Sequence, residues 1–162
     1  MAVATLEAIR DRVAVLITAI TPTINSGDKF EQSQDERNAD FQQQSEEQPL
    51  GAFRRFQVRS SGDEEPPSVS NTDQSRVEAT MIVTVAYPHN KQAGPVSGRD
   101  RDDCIDSDWK LINYRIGIYG RANFSSTNDC APMGGEKFVE RGDACDFLVI
   151  RMRLSYVVDV DG

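Results

Sequence analysis

Basic residues are the minority in this chain, and histidine, cysteine and tryptophan are scarcer still. Eighteen Lys and Arg against 26 Asp and Glu leave a net charge of −8. A protein that holds nucleic acid by neutralising many phosphates needs a basic surface. The balance therefore argues against sequence-specific nucleic acid binding, although it leaves room for a local basic patch. The single histidine, His89, cannot build a multi-histidine metal site, and no serine stands in a GxSxG elbow that would use it as a base. It follows Tyr87 and Pro88 and is expected on a surface loop. Cys104, Cys130 and Cys145 are odd in number and show no CxxC spacing, which fits neither a disulfide framework nor a zinc ribbon. They are expected to be reduced thiols in a cytosol. Cys145 stands near Asp143 and Asp146, and such neighbours raise a thiol's pKa and blunt its reactivity.

Long apolar runs are missing too. "VAVLITAI", Val13 to Ile20, falls far short of the roughly 20 residues that cross a bilayer. Glu7 and Asp11 precede it where a secretory signal would be positive, so neither a membrane anchor nor export is expected. "PMGGEKF" carries two glycines but no GxxxxGK[ST] and follows no apolar strand, so it is a turn and not a phosphate cradle. No cofactor is implied.

What the chain does have is periodicity. Its 162 residues are one domain in length, enough to bury about 68–70% of the unfolded surface. Leu6, Ile9, Val13, Leu16 and Ile20 fall at steps of three and four, the stripe of a helix that Pro22 stops. "FRRFQVRS" is a short strand with Phe56 and Val58 on one side and Arg55, Gln57 and Arg59 on the other. "RVEATMIVTVAY" alternates cleanly, with Val77, Ala79, Met81, Val83, Val85 and Tyr87 on one face. Together they suit an antiparallel pair with an extended hairpin arm. Ile105, Trp109, Ile112 and Ile116 mark a second helix ending near Gly117 or Gly120, with Trp109 pinning it to the sheet. In "DFLVIRMRLSYVVDV", Leu148, Ile150, Met152, Leu154, Tyr156 and Val158 face inward. Between these lie polar loops at 25–49, 60–75, 88–101 and 121–143. Only "KFVER" in the last hints at a further strand. The order predicts a single α+β domain over 1–162: a two-layer sandwich of a small antiparallel sheet with two helices on one face.

The stretch "DRDDCIDSDW" packs five carboxylates, Asp100, Asp102, Asp103, Asp106 and Asp108, into ten residues. A calcium loop of the EF-hand type needs ligands at positions 1, 3 and 5, Gly at 6 and Glu at 12. Counting from Asp100 puts Cys104, Ile105 and Leu111 at positions 5, 6 and 12, and the other starts fail as well. Carboxylates in a first helical turn, by contrast, accept orphan N–H groups and meet the positive end of the dipole, for about 0.3–1 kcal/mol each. A helix start is therefore expected, with Asp102 or Asp103 as the cap and Asp106 in the first turn. Weak divalent binding and a small metal-dependent enzyme are the alternatives.

Arg55 and Arg59 on the first strand and Arg151 and Arg153 on the last share the outward sheet face if those strands face the same way. Such a face is either solvated or a contact surface for an acidic neighbour. The acidic stretch Asp28 to Glu47 is a candidate for the other half.

An N-terminal helix, a strand pair with a long loop, a second helix entered through acids and Trp109, and a terminal "FLVIRMRLSYVVDV" strand together resemble the tail terminator proteins of long-tailed bacteriophages, also called tail completion or minor tail proteins. The resemblance spans the whole chain in order and spacing. It implies a non-enzymatic virion structural protein of the tail and neck, assembled in the host cytoplasm. Such proteins form a homo-oligomeric ring, commonly a hexamer, that caps the tail tube protein, halts its polymerisation and offers a surface to head-tail connector proteins. The four arginines are the expected oligomer or tube contact. Another neck component, for head-tail joining or head closure, is the nearest alternative, and a host-side peptide-binding module a more distant one.

Overall fold

The computed structural model describes residues 6–33, 41–47, 53–65, 74–91, 94–118 and 131–159. In chain order the elements are α1 (Leu6–Thr18), β1 (Glu31–Gln32), α2 (Phe41–Glu47), β2 (Arg55–Glu65), β3 (Gln74–Pro88), β4 (Asn90–Lys91), β5 (Gly94–Pro95), α3 (Gly98–Ile112), a π-helical turn (Asn113–Ile118), β6 (Ala131–Arg141) and β7 (Cys145–Asp159). The class is α+β, as the periodicities predict.

The two stretches with the cleanest alternation make the framework. β3 and β7 pair antiparallel over their whole length, from Gln74 opposite Asp159 to Pro88 opposite Cys145. β2 joins β3 and β6 joins β7, both antiparallel, and β1 lies parallel to β2. The main sheet is thus β1-β2-β3-β7-β6, mixed and five-stranded, larger than the small antiparallel sheet expected. β4 and β5 form a separate minimal hairpin.

The alternating phase decides which side chains meet. Phe56 and Val58, Met81, Val83, Val85 and Tyr87, and Leu148, Ile150, Met152 and Leu154 share one face. There they bury against Ile9, Val13, Leu16 and Ile17 of α1, Cys104, Ile105 and Ile112 of α3, and Ile116 of the π-helical turn. Both helices lie on that face. Trp109 is only half-buried at the edge of the cluster, with the Lys137 ammonium 5.9 Å from its ring centroid; Cys104 and Ile105 go deeper. The side chains of Leu6, Val77, Tyr156 and Val158 lie outside the described residues.

Four expected loops hold more order than predicted. Within 25–49 lie β1 and α2, and α2 covers the opposite sheet face, where Phe41 packs with Ile82, Ala86, Phe147 and Val149. Its seven residues bury only Phe41 and Ser45, too few to show a stripe. The 60–75 loop shrinks because β2 runs to Glu65 and β3 begins at Gln74. The 88–101 segment contains β4, β5 and the start of α3. Within 121–143, Ala131–Arg141 form β6, of which "KFVER" is the end. β6 is an edge strand whose Phe138 and Val139 are both exposed, so no inside-outside alternation announces it.

Candidate functional site

The acidic stretch disperses once it is folded. Ser97, not an aspartate, caps α3: its hydroxyl accepts from the Asp100 amide at 3.1 Å, and the helix starts at Gly98. That correction follows from the cap chemistry, because a serine oxygen in extended backbone reaches the third residue's N–H. Asp100 is the acid of the first turn, while Asp102, Asp103 and Asp106 stand further along on exposed positions. Asp102 bonds Arg141 at 2.6 Å, and Asp106 bonds Lys110 at 2.9 Å. The bonds and charge of Lys110 hold the Asp106 carboxyl below its usual range. Asp108 turns the other way, into the core. Among the described residues no three His, Cys, Asp or Glu side chains converge on a metal-sized site.

Asp108 meets Arg54, a wholly buried arginine that no spacing argument singled out. Arg54 Nε and Nη2 donate to the two Asp108 oxygens at 2.6 and 3.2 Å. Its Nη1 donates to the carbonyls of Asn25 and Asp28 at 2.8 and 2.9 Å, and Nη2 also donates to the Ile24 carbonyl. All five guanidinium donors are thereby satisfied. The Tyr87 hydroxyl donates to Asp108 at 2.7 Å, and the rings of Phe30 and Phe53 flank the guanidinium at 5.7 and 5.3 Å. Burial pushes the Asp108 carboxyl up against the opposing pull of Arg54 and Tyr87, and burial together with the Asp108 charge pushes the Tyr87 phenol well above its usual value. Arg54 sits at φ +66°, a conformation that costs a non-glycine residue. Its amide bonds the Ala86 carbonyl at 2.9 Å and its carbonyl accepts from Glu31, so both flanks hold it there. A signal existed: Arg54 shares strand phase with Phe56 and Val58, and Asp108 shares the stripe of Cys104, Ile105 and Ile112. A charge in each apolar stripe implies a pair.

A second charged hub surrounds Asp146. It accepts from Arg101 Nε at 2.8 Å and Arg141 Nη1 at 2.9 Å, and His89 Nε2 lies 3.1 Å away. Burial acts to raise this carboxyl, but the bonds from Arg101, His89 and Arg141 outweigh it and leave it below its usual range. His89 is therefore half-buried in an ion-paired network and not a free surface histidine, because the β3 end that carries it docks beside β7. The neighbouring thiol is inert. Burial, with the Glu46 charge next to it, pushes Cys145 up to about 12, and its Sγ donates to the Ser45 carbonyl at 3.3 Å. Cys104 is also buried, free and raised by burial; Cys130 lies outside the described residues.

The four sequence-predicted arginines do share one face, the one opposite α1 and α3, in different states. The Arg55 guanidinium lies 5.6 Å from the Phe41 ring centroid and 3.4 Å from the Ser45 hydroxyl. Arg153 pairs with Glu78 at 2.8 Å. Arg151 is exposed and lies 5.7 Å from the Phe138 ring. Arg59 is exposed and has no ion pair among the described residues. Arg59 and Arg151 flank a groove whose other walls are Phe41 and Gln42 of α2, Thr84 and Glu140. The acidic stretch expected to complement this face is partly committed within the chain: Asp28 bonds Lys91, and Glu46 accepts from the Ala144 amide at 2.6 Å.

No protein-family model matches this chain, and no curated protein matches it either. Among the described residues no helix is long and apolar enough to cross a membrane.

Proposed function

We propose that this chain is a structural assembly protein of the tail terminator kind, acting by side-by-side association into a ring and by end-on binding to a tail tube. The observation that carries this reading is the bipolar placement of exposed charge. Arg59 and Arg151 stand on one face of the sheet, and Asp100 and Asp103 of α3 stand on the layer behind the other. A ring is heterologous, so each subunit must offer two different patches that fit one another, and opposite charges on opposite sides meet that need while steering the approach. The inert buried thiols and the dispersal of the acidic stretch fit a protein that works by shape. The long edge strand β6, with exposed Phe138 and Val139, supplies apolar surface for contact.

Arg59→Ser combined with Arg151→Ser tests the reading, because neither side chain holds the core. By negative-stain electron microscopy, the unaltered protein should form rings alone or cap tail tubes, and the double variant should do so at least about tenfold less well, the loss expected for roughly 1.4 kcal/mol of contact energy. Thermal unfolding of the two should coincide. Unaltered ring and tube-end binding would refute the assignment of that face, and an unaltered protein that stays monomeric and ignores tubes would remove the assembly reading itself.

A further inference from the structure

The strand register on the face opposite α1 and α3 brings the two exposed arginines to one place. A row of neighbouring side chains runs Arg59, Ile82, Arg151, Glu136; the next runs Gln57, Thr84, Val149, Phe138; the third runs from Arg55 to Glu140. Two of these rows thus begin with arginine on β2 and end with glutamate on β6. Arg59 and Arg151 stand on either side of Ile82, two strand spacings or about 9.6 Å apart, with Thr84 in the row beside them. α2 packs over the third row through Phe41. Between it and the arginines lies the groove, floored by Ile82, Thr84 and Val149.

Three of the groove's donors find no acceptor among the described residues. Arg59 and Arg151 form no ion pair there, and the Arg151 guanidinium lies 5.7 Å from the Phe138 ring instead of pairing with Glu136 beside it. Thr84 is only 5% exposed and lines the groove, yet its hydroxyl makes no hydrogen bond among the described residues. A buried polar group in a native structure nearly always has a partner, in the protein or outside it. Two cations and a hydroxyl that line one space without a protein acceptor fit an anion. Glu140 lines the groove as well, and its carboxylate accepts from the Gln42 amide at 2.8 Å. Size narrows the ligand further. The groove holds about 100 Å³, against roughly 300–1,000 Å³ for sites that enclose a drug-sized molecule. It admits the end of one side chain and not a nucleotide or cofactor.

We infer that this groove receives a carboxylate side chain from an acidic segment of a partner protein, with Arg59 and Arg151 clamping its oxygens and the Thr84 hydroxyl donating from the floor. The inference deepens the assembly reading: the choice of a protein carboxylate over a free oxyanion rests on that reading, whereas the preference for an anion does not. Guanidinium forks match a carboxylate in two-point hydrogen bonds, and Ile82 and Val149 offer apolar surface to the methylene stem behind it. Docking takes water from the two guanidiniums. An amide in place of the acid leaves them poorly partnered, so the groove selects acid over amide.

A fluorescein-labelled peptide, Gly-Glu-Glu-Asp-Glu-Gly with a blocked carboxyl end, tests this by anisotropy on the full chain. It should bind an open groove or, in excess, displace a neighbour that fills it, which sedimentation velocity reads. Its counterpart with Gln and Asn for the acids should bind at least about tenfold more weakly, and Arg59→Gln and Arg151→Gln should each cost the acidic peptide about tenfold, as for hydrogen bonds to charged groups. Thr84→Val should weaken binding about threefold or more while thermal unfolding stays the same or rises, because no protein group loses a partner. A merely structural Thr84 would give the opposite pattern. Glu140→Gln keeps an acceptor for Gln42, removes a like charge from the wall and should strengthen binding. If the acidic peptide neither binds nor displaces, or if its amide counterpart does as well, the groove assignment is wrong while the assembly reading stands on its own experiment. Inorganic phosphate binding more tightly than the peptide, and lost in the same variants, would overturn the choice of a protein carboxylate. Acid-selective binding by a chain that forms no rings and ignores tubes would keep the groove and remove the assembly reading.

Discussion

Asp146 shows at the scale of one residue how this chain uses its acids. Its side chain is almost wholly buried, yet three cationic or hydrogen-bonding neighbours hold its carboxyl below the usual range. The sign follows from that. A depressed carboxyl contributes stability that is fully present above the unfolded value of about 3.9, and loses it as pH falls through the lower folded value. Thermal unfolding of the unaltered protein between pH 6 and pH 2 should therefore lose stability below about pH 4. Asp146→Asn should be less stable at neutral pH by on the order of 2 kcal/mol and lose less in the acid window. Parallel curves for the two proteins would show that Asp146 is not a principal source of the acid sensitivity. Little of this hub is legible in the sequence, because only Arg141 and Asp146 are neighbours, paired across the β6–β7 turn, while Arg101 and His89 come from segments distant in the chain.

The helices and strands divide by how their faces are buried. α1 and α3 have one well-buried side, and β3 and β7 turn their longest apolar rows to the main core; those faces impose a period of 3.6 or 2 that can be read directly. β6 and α2 have no such contrast. β6 is exposed on both faces at the sheet edge, and α2 is a polar seven-residue helix held mainly by Phe41. Helix α3 carries a sharper lesson, since its acids mark a helix without marking its start. Ser97→Ala should cost about 1 kcal/mol, because the Asp100 amide loses its acceptor. Asp103→Ala should stay within about 0.5 kcal/mol. Chemical denaturation of the two variants checks this, and the reverse order would return the cap to the aspartates. Gly142 is a second position where geometry decides, since a Cβ there would fall on the Glu46 carboxylate and 2.7 Å from the Cys145 carbonyl oxygen.

For the whole molecule, the sheet order makes the two faces and the two edges unlike one another. α1 and α3 close one face, α2 covers part of the other, and the rows between β2 and β6 run from basic to acidic. The two-helix face and the α+β class are visible from periodicity, as is the shared side of Arg55, Arg59, Arg151 and Arg153. Which of the four are engaged within the chain is not visible, because α2, the source of the Arg55 contacts, hides in a segment without a pattern. The contrast between edges is equally hidden until β6 is placed, since β2 and β3, which share its rows, are distant from it in sequence.

The Arg54 arrangement also governs how the protein comes apart. Its guanidinium is satisfied only when the 24–28 turn and Asp108 of α3 are both present, and the end of β3 holds the Arg54 amide through Ala86 and the Asp108 carboxylate through Tyr87, so releasing one segment leaves a desolvated charge poorly partnered beside the others. Piecewise opening is thereby suppressed in favour of concerted melting. Limited proteolysis should produce no long-lived trimmed core lacking the first 28 residues, and tryptophan fluorescence and far-ultraviolet dichroism should report a single coincident transition. A stable fragment that starts after residue 28 would mean that this side chain does not couple the three segments.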